Sequence, residues 1–271
     1  MMLFAPLFAM VAMSATMSGN AAAVTVASRP WMPPASADLT PAQRAAKVVA
    51  AMTLDEKIRQ VHGNLSSLTS YTGLVPANAR LGIPQLRLND GRQGFRNGAP
   101  GHEDTAITAW PSALTVASTW DEDLMGQFGA GMGREWYEKG ANVALTPMLI
   151  IARVPQGGRN FESCGEDPYL ASRFGFQEVS GINSQRVLSN ADDFVLNNQE
   201  LGRTTVVAVA DERTRFEIYY PSYEGAISAG LATIMCSHVK TIECADAVSY
   251  SDVHFVRCPC VQFSMVPGTI K

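Results

Sequence analysis

The stretch Gln156-Gly157-Gly158-Arg159-Asn160-Phe161-Glu162-Ser163-Cys164-Gly165-Glu166-Asp167-Pro168-Tyr169-Leu170 decides how the fold is read. It follows an apolar run at 143–151 and precedes a helical pattern. An apolar strand, a polar loop dense in Gly, Arg and carboxylates, and then a helix form the unit that α/β barrels repeat. Active sites in such barrels sit on the loops after strands, so Arg159 and Glu162 stand where chemistry is expected. Glu166 and Asp167 read as structural, because carboxylates just ahead of a helix with Pro168 in its first turn are favourable against the helix dipole.

Working outward, Thr40-Pro41 signals a helix start and predicts a helix over 42–52. Thr53-Leu54-Asp55-Glu56 is a capping box that opens another helix through His62, which reads as a surface or cap residue. Residues 80–91 read as a turn, a strand and a loop, with Asp90-Gly91 on local grounds a turn dipeptide. A helix is expected over 121–139, stopped by Gly140. Inside it Gly129, Gly131 and Gly133 lack the preceding strand and the spacing of a dinucleotide fingerprint, so close packing against a sheet is the expectation. Further on the pattern predicts a helix at 168–185 and a strand at 187–196. A helix then starts at Asp211, continues through Pro221 with its aromatic residues in the core, and ends at Gly230. A buried strand follows at 231–237.

The chain has 271 residues, 46% of them hydrophobic and 17% charged, which suits a packed core and excludes a disordered chain. A net charge of −4 gives no basic footprint, so nucleic acid is not an expected partner. No internal run approaches the ~20 apolar residues of a membrane span. Residues 1–30, with an apolar run from Met2 to Met13 followed by small residues, read as a secretory signal peptide or leader, which implies a secreted, extracellular protein. Asn64-Leu65-Ser66 is an N-glycosylation acceptor triplet consistent with that. Five Cys leave at least one thiol unpaired, and the sequence does not fix any pairing. Cys258-Pro259-Cys260 lacks a second ligand pair at zinc spacing, so neither a metal nor a cofactor is expected.

The wording of these segments is more specific than their pattern. GGRNFESCGEDPYL at 157–170 resembles the GGRNFE-x-x-x-EDPYL segment of glycoside hydrolase family 3, whose best-known members are β-glucosidases and β-xylosidases. Met52-Thr53-Leu54-Asp55-Glu56-Lys57-Ile58-Arg59-Gln60 is similar to that family's MTLEEKI-x-Q. The segment from Arg80 to Gly94 resembles its RLGIP-x-L-x-x-x-DGP-x-G, and residues 109–120 resemble its FP-x-x-x-x-x-A-x-TW/F stretch. Residues 211–221 resemble DERTLREIYLP, and 231–237 match the start of its VMCSYN run. The resemblance covers roughly 40–237 and implies an incomplete (β/α)8 TIM-type barrel at 39–237, followed by an unmatched tail at 238–271. A barrel cut after about five strands is expected to leave an open sheet edge and exposed apolar helix faces.

The resemblance also implies roles. Asp90 matches the Asp that accepts hydrogen bonds from sugar hydroxyls, and Arg159 matches the Arg that donates to them as a fork. Glu162 is expected to position Arg159 or to cap the loop. Arg92 stands where the family has Pro, which predicts a less rigid loop. At 191–200 the family's KHF-x-x-NNQE becomes Ala-Asp-Asp-Phe-Val-Leu-Asn-Asn-Gln-Glu, so Asp192 and Asp193 occupy the positions of a sugar-binding Lys-His pair. Retaining hydrolysis needs a nucleophile and an acid/base about 5–5.5 Å apart. The family's nucleophile lies in an SDW strand. Ser251-Asp252-Val253 offers Asp252, but it follows Ser237 too closely to fit a further helix and strand, a crossover alone taking at least ~10–12 residues. The implied function is β-glucosidase-like hydrolysis of terminal non-reducing β-D-glucosyl residues, with a β-glucoside or oligosaccharide as substrate and the chain as written catalytically incomplete. The alternatives are a non-catalytic carbohydrate-binding remnant or a degraded gene product.

Overall fold

Thr40 accepts a hydrogen bond from the Gln43 backbone at 3.3 Å, while the Gln43 side chain accepts from the Thr40 backbone at 2.9 Å. This reciprocal cap, with Pro41 in the first turn, starts α1 (Pro41–Ala51). Thr53 and Glu56 repeat the device at the start of α2 (Leu54–His62). Arg80 then donates to Glu56 Oε1 at 2.8 Å, tying α2 to the turn at residues 79–82. Local capping rather than packing defines these two helices, because neither contains a fully buried residue. The computed structural model describes residue 31 and residues 37–62, 71–96 and 106–241. The leader at 1–30, the Asn64 triplet, Asp252 and the three Cys of the tail lie outside the described residues.

One sheet runs in the order β1 (Gly73–Val75), β2 (Leu86–Asn89), β3 (Val143–Ala144), β4 (Leu188–Phe194) and β6 (Thr233–Cys236). β1 is antiparallel to β2, and every later pair is parallel. A separate parallel pair joins β5 (Val207–Ala208) to β7 (Lys240–Thr241). Between the strands lie α3 (Ala113–Ala117), α4 (Glu122–Glu138), α5 (Pro168–Ser184), α6 (Glu212–Thr214) and α7 (Pro221–Ser228). The architecture is an incomplete (β/α)8 TIM-type barrel whose sheet is curled into a half-barrel. Among the described residues β1 and β6 remain the two ends of that sheet. Val207, Val209, Phe216 and Ile227 are exposed on the later elements, as an open barrel requires.

Asp121 and Asp167 cap α4 and α5 through their side chains, and Pro168 occupies the first turn of α5. Two expected elements differ from the reading of the sequence. The strand expected over 143–151 is laddered only at Val143–Ala144, with a lone bridge from Met148 to Asp192. Pro147 has no N–H to give to a ladder, and its carbonyl instead accepts from the Asp192 N–H at 2.8 Å. The helix expected to run through Pro221 is in three pieces: α6, a π-helical turn at Arg215–Tyr219, and α7. The proline ring excludes the regular spacing one turn back, and the chain widens so that Tyr220 N–H donates to Arg215 O at 2.9 Å. Tyr219 is buried, but Phe216 of the same turn is exposed rather than in the core.

The glycines of α4 pack against α5, not against the sheet. A Cβ on Gly129 would lie 2.9 Å from Glu178 Cα, and one on Gly133 would lie 2.9 Å from Ile182 Cα. From the other side, a Cβ on Gly181 would meet Gly126 O and lie 2.6 Å from Ala130 N. Gly131 instead faces the Trp110 ring. Adjacent outer helices thus touch backbone to backbone. Beneath them Trp136, Phe174, Met125, Met132 and Leu149 fill the core, together with Cys164, a free buried thiol.

Glu178 of α5 is 1% exposed in that core. Its Oε1 accepts from Thr146 Oγ1 at 2.7 Å, and its Oε2 has no partner among the described residues. Burial pushes its carboxyl up to about 7, against the lowering effects of the Thr146 hydrogen bond and the Arg92 charge.

Two predictions follow from this packing. Gly181→Ala is expected to destabilise the fold by about 1–3 kcal/mol through overpacking. Gly126→Ala, whose Cβ would meet only Gln177 Oε1 at 3.5 Å, should be neutral or gain up to ~1 kcal/mol of helix propensity. Paired chemical denaturation of the two variants separates the clash from the propensity. For Glu178, the folded state holds its proton more tightly than the unfolded chain, so stability falls as pH rises from about 4.5 to about 7. Glu178→Gln is expected to flatten that window and to raise stability above it by up to ~3 kcal/mol, read from melting curves taken at pH 5 and pH 8.

Candidate active site

The site is assembled at the C-terminal ends of β2, β3 and β4. Asn89, fully buried, fixes the first loop. Its Oδ1 accepts from Thr72 N–H at 3.2 Å, its Nδ2 donates to Arg96 O at 3.1 Å, and its carbonyl accepts from Trp136 Nε1 at 3.3 Å. Gly91 follows with φ +128°, where an added Cβ would collide with Gly94 O, so only glycine makes this bend. The bend turns Asp90 toward solvent and sends Arg92 inward, its side chain 9% exposed. The loop that carries Arg92 in place of Pro is tied down at several points. Arg96 N–H donates to Asp90 O at 3.0 Å, Trp110 N–H donates to Gln93 O at 2.8 Å, and the buried Arg92 side chain supplies the tether.

The loop after β3 contains two short 3₁₀ turns, Pro155–Gly157 and Asn160–Glu162; Arg159 stands just ahead of the second and Glu162 ends it. Arg159 Nε and Nη2 donate to Glu162 Oε1 and Oε2 at 3.2 and 2.8 Å, a fork on a fork that fixes the guanidinium plane. Glu162 therefore positions Arg159 rather than capping the loop. Arg159 Nη1 also donates to Asp193 Oδ2 at 3.2 Å and lies 3.6 Å from Glu200 Oε1. Burial alone would lower the pKa of this guanidinium, but its hydrogen bonds to Glu162 and the charges of Glu162, Asp193 and Glu200 outweigh it and hold it above its ordinary value.

Asp192 and Asp193 close the cluster from β4, each 1% exposed. Neighbours on a regular strand point to opposite faces. Here the pairing of β4 with β6 shifts register between Ala191 and Phe194, and both carboxylates reach the same charged layer. Asp192 pairs with the Arg92 guanidinium and lies 3.8 Å from Arg159 Nη2. Asp193 is held by Arg159 and by Asn197 Nδ2 at 2.9 Å, and Asn197 also donates to Glu200 Oε1 at 3.1 Å. The expected inversion of donors into acceptors is thus answered by two arginines. Asp90, Glu162, Asp192, Asp193 and Glu200 stand against Arg92, Arg96, Arg159 and Arg203, one formal negative charge in excess.

A cleft of about 450 Å³ opens above this layer, walled by Asp90, Arg92, Arg96, Phe161 and Glu162. Asp192 and Asp193 lie beneath the arginines and do not reach its wall. Among the described residues, buried Asp192 Oδ1, Asp193 Oδ1, Asn197 Oδ1 and Arg92 Nε find no hydrogen-bond partner. The cleft wall offers a half-buried carboxylate at Asp90 with the Arg92 and Arg96 guanidinium groups beside it, a set that suits vicinal hydroxyls. Of the residues singled out from the sequence, Asp90, Arg159, Glu162, Asp192 and Asp193 come together. Arg92, Asn197 and Glu200 complete the cluster without having been given roles; the quoted NNQE wording and the departure at position 92 were the available signals.

The model of the Glycosyl hydrolase family 3 N terminal domain matches residues 37–258. Thermostable beta-glucosidase B of Acetivibrio thermocellus is 36% identical over 201 residues, covering 72% of this chain and 26% of that protein. The crystal structure of DesR, a beta-glucosidase from Streptomyces venezuelae in complex with D-glucose, superposes with a TM-score of 0.69 at 40% identity over 73% of this chain and 25% of that one. Beta-glucosidase 3B from Thermotoga neapolitana gives a TM-score of 0.68 at 32% identity. The chain spans about a quarter of the length of these relatives. By sequence and by fold alike, it belongs to glycosyl hydrolase family 3.

Proposed function

We propose that this chain carries the sugar-binding face of a β-glucosidase, in which hydroxyls of a terminal non-reducing β-D-glucosyl residue are held between Asp90 and Arg159. The observation that supports this is that Asp90, Arg92 and Glu162 wall one cleft from the loops after β2 and β3, with Arg159 held on Glu162 just outside that wall. A hydroxyl both donates and accepts, so a carboxylate and a guanidinium on either side of it satisfy both functions. The relatives named beta-glucosidases, one of them holding D-glucose, supply the substrate class. Hydrolysis with retention would need a nucleophile and an acid/base about 5–5.5 Å apart and is a property of the whole enzyme. A second reading, a carbohydrate-binding protein without turnover, is favoured by the engagement of Asp192 and Asp193 in ion pairs below the cleft.

Calorimetric titration with D-glucose and cellobiose tests the binding. Arg159→Ala and Asp90→Ala should each weaken it at least about tenfold, the loss of one charge-assisted hydrogen bond. Release of an aryl aglycone from a β-glucoside separates the two readings: turnover lost in Arg159→Ala supports the hydrolase, and affinity without turnover supports the binder. Flat titrations with all β-linked sugars would remove both.

A further inference from the structure

Arg92 occupies a place that no matched motif assigns. Its side chain forms part of the cleft wall, whereas Asp192 behind it does not. Nη1 donates to Glu162 Oε2 at 2.9 Å and lies 3.6 Å from Asp90 Oδ1, and the guanidinium pairs with Asp192. One side chain thus joins carboxylates from β2, β3 and β4. A guanidinium carries five N–H donors. Among the described residues, Glu162 and Asp192 are the groups within hydrogen-bonding reach of its two Nη atoms, while Nε is buried and has no described partner. Each Nη thus keeps a second N–H on a side chain that forms part of the cleft wall, in a chain where the two positions expected to donate, 192 and 193, hold carboxylates that only accept.

We propose that Arg92 is a ligand-binding residue of this chain, donating to a hydroxyl of the bound sugar from the cleft wall, with Asp192 as the positioning residue that anchors it from behind. The two departures at positions 92 and 192 are then one change: the donor has moved from β4 to the loop after β2. This rests on the sugar-binding reading above and adds to it a residue that sets specificity.

The test is calorimetric titration of D-glucose and its four monodeoxy analogues (2-, 3-, 4- and 6-deoxy) into the full chain, Arg92→Ala and Asp192→Asn. The wild-type chain should lose about tenfold in affinity for the analogue that lacks the hydroxyl facing Arg92. Arg92→Ala should bind glucose and that analogue equally, while discriminating the other three as the wild type does. Asp192→Asn should blunt discrimination at the same hydroxyl. A uniform loss across all five sugars in Arg92→Ala means a purely structural role and overturns the proposal. If the alanine variant does not fold, Arg92→Lys keeps a cation opposite Asp192; it should lose discrimination at that one hydroxyl, and unchanged discrimination at all four overturns the proposal. Absence of glucose binding by the wild type defeats the sugar-binding reading first and this inference with it, a result distinct from wild-type binding that ignores Arg92.

Discussion

Two adjacent carboxylates, Asp192 and Asp193, are almost wholly removed from water at the end of β4. Taking an ion out of water costs several kcal/mol even after relaxation, and an uncompensated one would unfold a marginally stable domain. The remainder of the site follows from meeting that cost. Arg92 must turn inward to Asp192, which requires the sharp bend that Gly91 alone can make. Arg159 must face Asp193 with its plane fixed, which Glu162 does three residues later on the same loop. Asn197 and Glu200 close the circle from the far side, with Arg203 balancing Glu200. Loops after three successive parallel strands are thereby locked together by charge rather than by apolar contact.

The strands can present those loops in register only because the helices outside them lie close. α4 and α5 approach until backbone meets backbone at Gly129, Gly133 and Gly181, and α7 meets α5 in the same way at Gly175 and Gly225. That approach draws Trp136, Phe174 and Leu149 into one core under the sheet. The contrast with α1 and α2 is instructive. Their caps are complete, yet Val49, Leu54, Ile58 and Val61 stay exposed. Good local signals make a helix; only a partner surface buries one.

What could be read from the sequence divides along the same line. Thr40, Thr53, Asp121 and Asp167 were legible as helix starts because a cap acts within three residues of itself. Asp90, Arg159 and Glu162 were legible because the family's wording carries them. The short ladder at β3 and the π-helical turn before Pro221 were not, since each depends on how the chain accommodates a proline in three dimensions, a missing N–H in the first and the ring's bulk in the second. The partner of the α4 glycines was out of reach for a similar reason: spacing tells that a surface is close, not which surface. Arg92 was visible only as a missing proline, because its partner lies a hundred residues on in the chain.

By sequence alone positions 92 and 192 are independent departures from the resembled pattern, an arginine in place of proline and an aspartate in place of lysine. In the fold they are in contact, and their joint effect differs from the sum of the two. A lysine restored at 192 would face the Arg92 guanidinium, so like charge would replace an ion pair in a buried layer. Restoring proline at 92 alone would strip Asp192 of its nearest cation and leave a carboxylate buried with Arg159 as the remaining guanidinium, 3.8 Å away. Neither single step leads back toward the family pattern without passing through a destabilised site. The pair is therefore held in place by the physics of burial, and the site must be understood with its donor on the loop after β2.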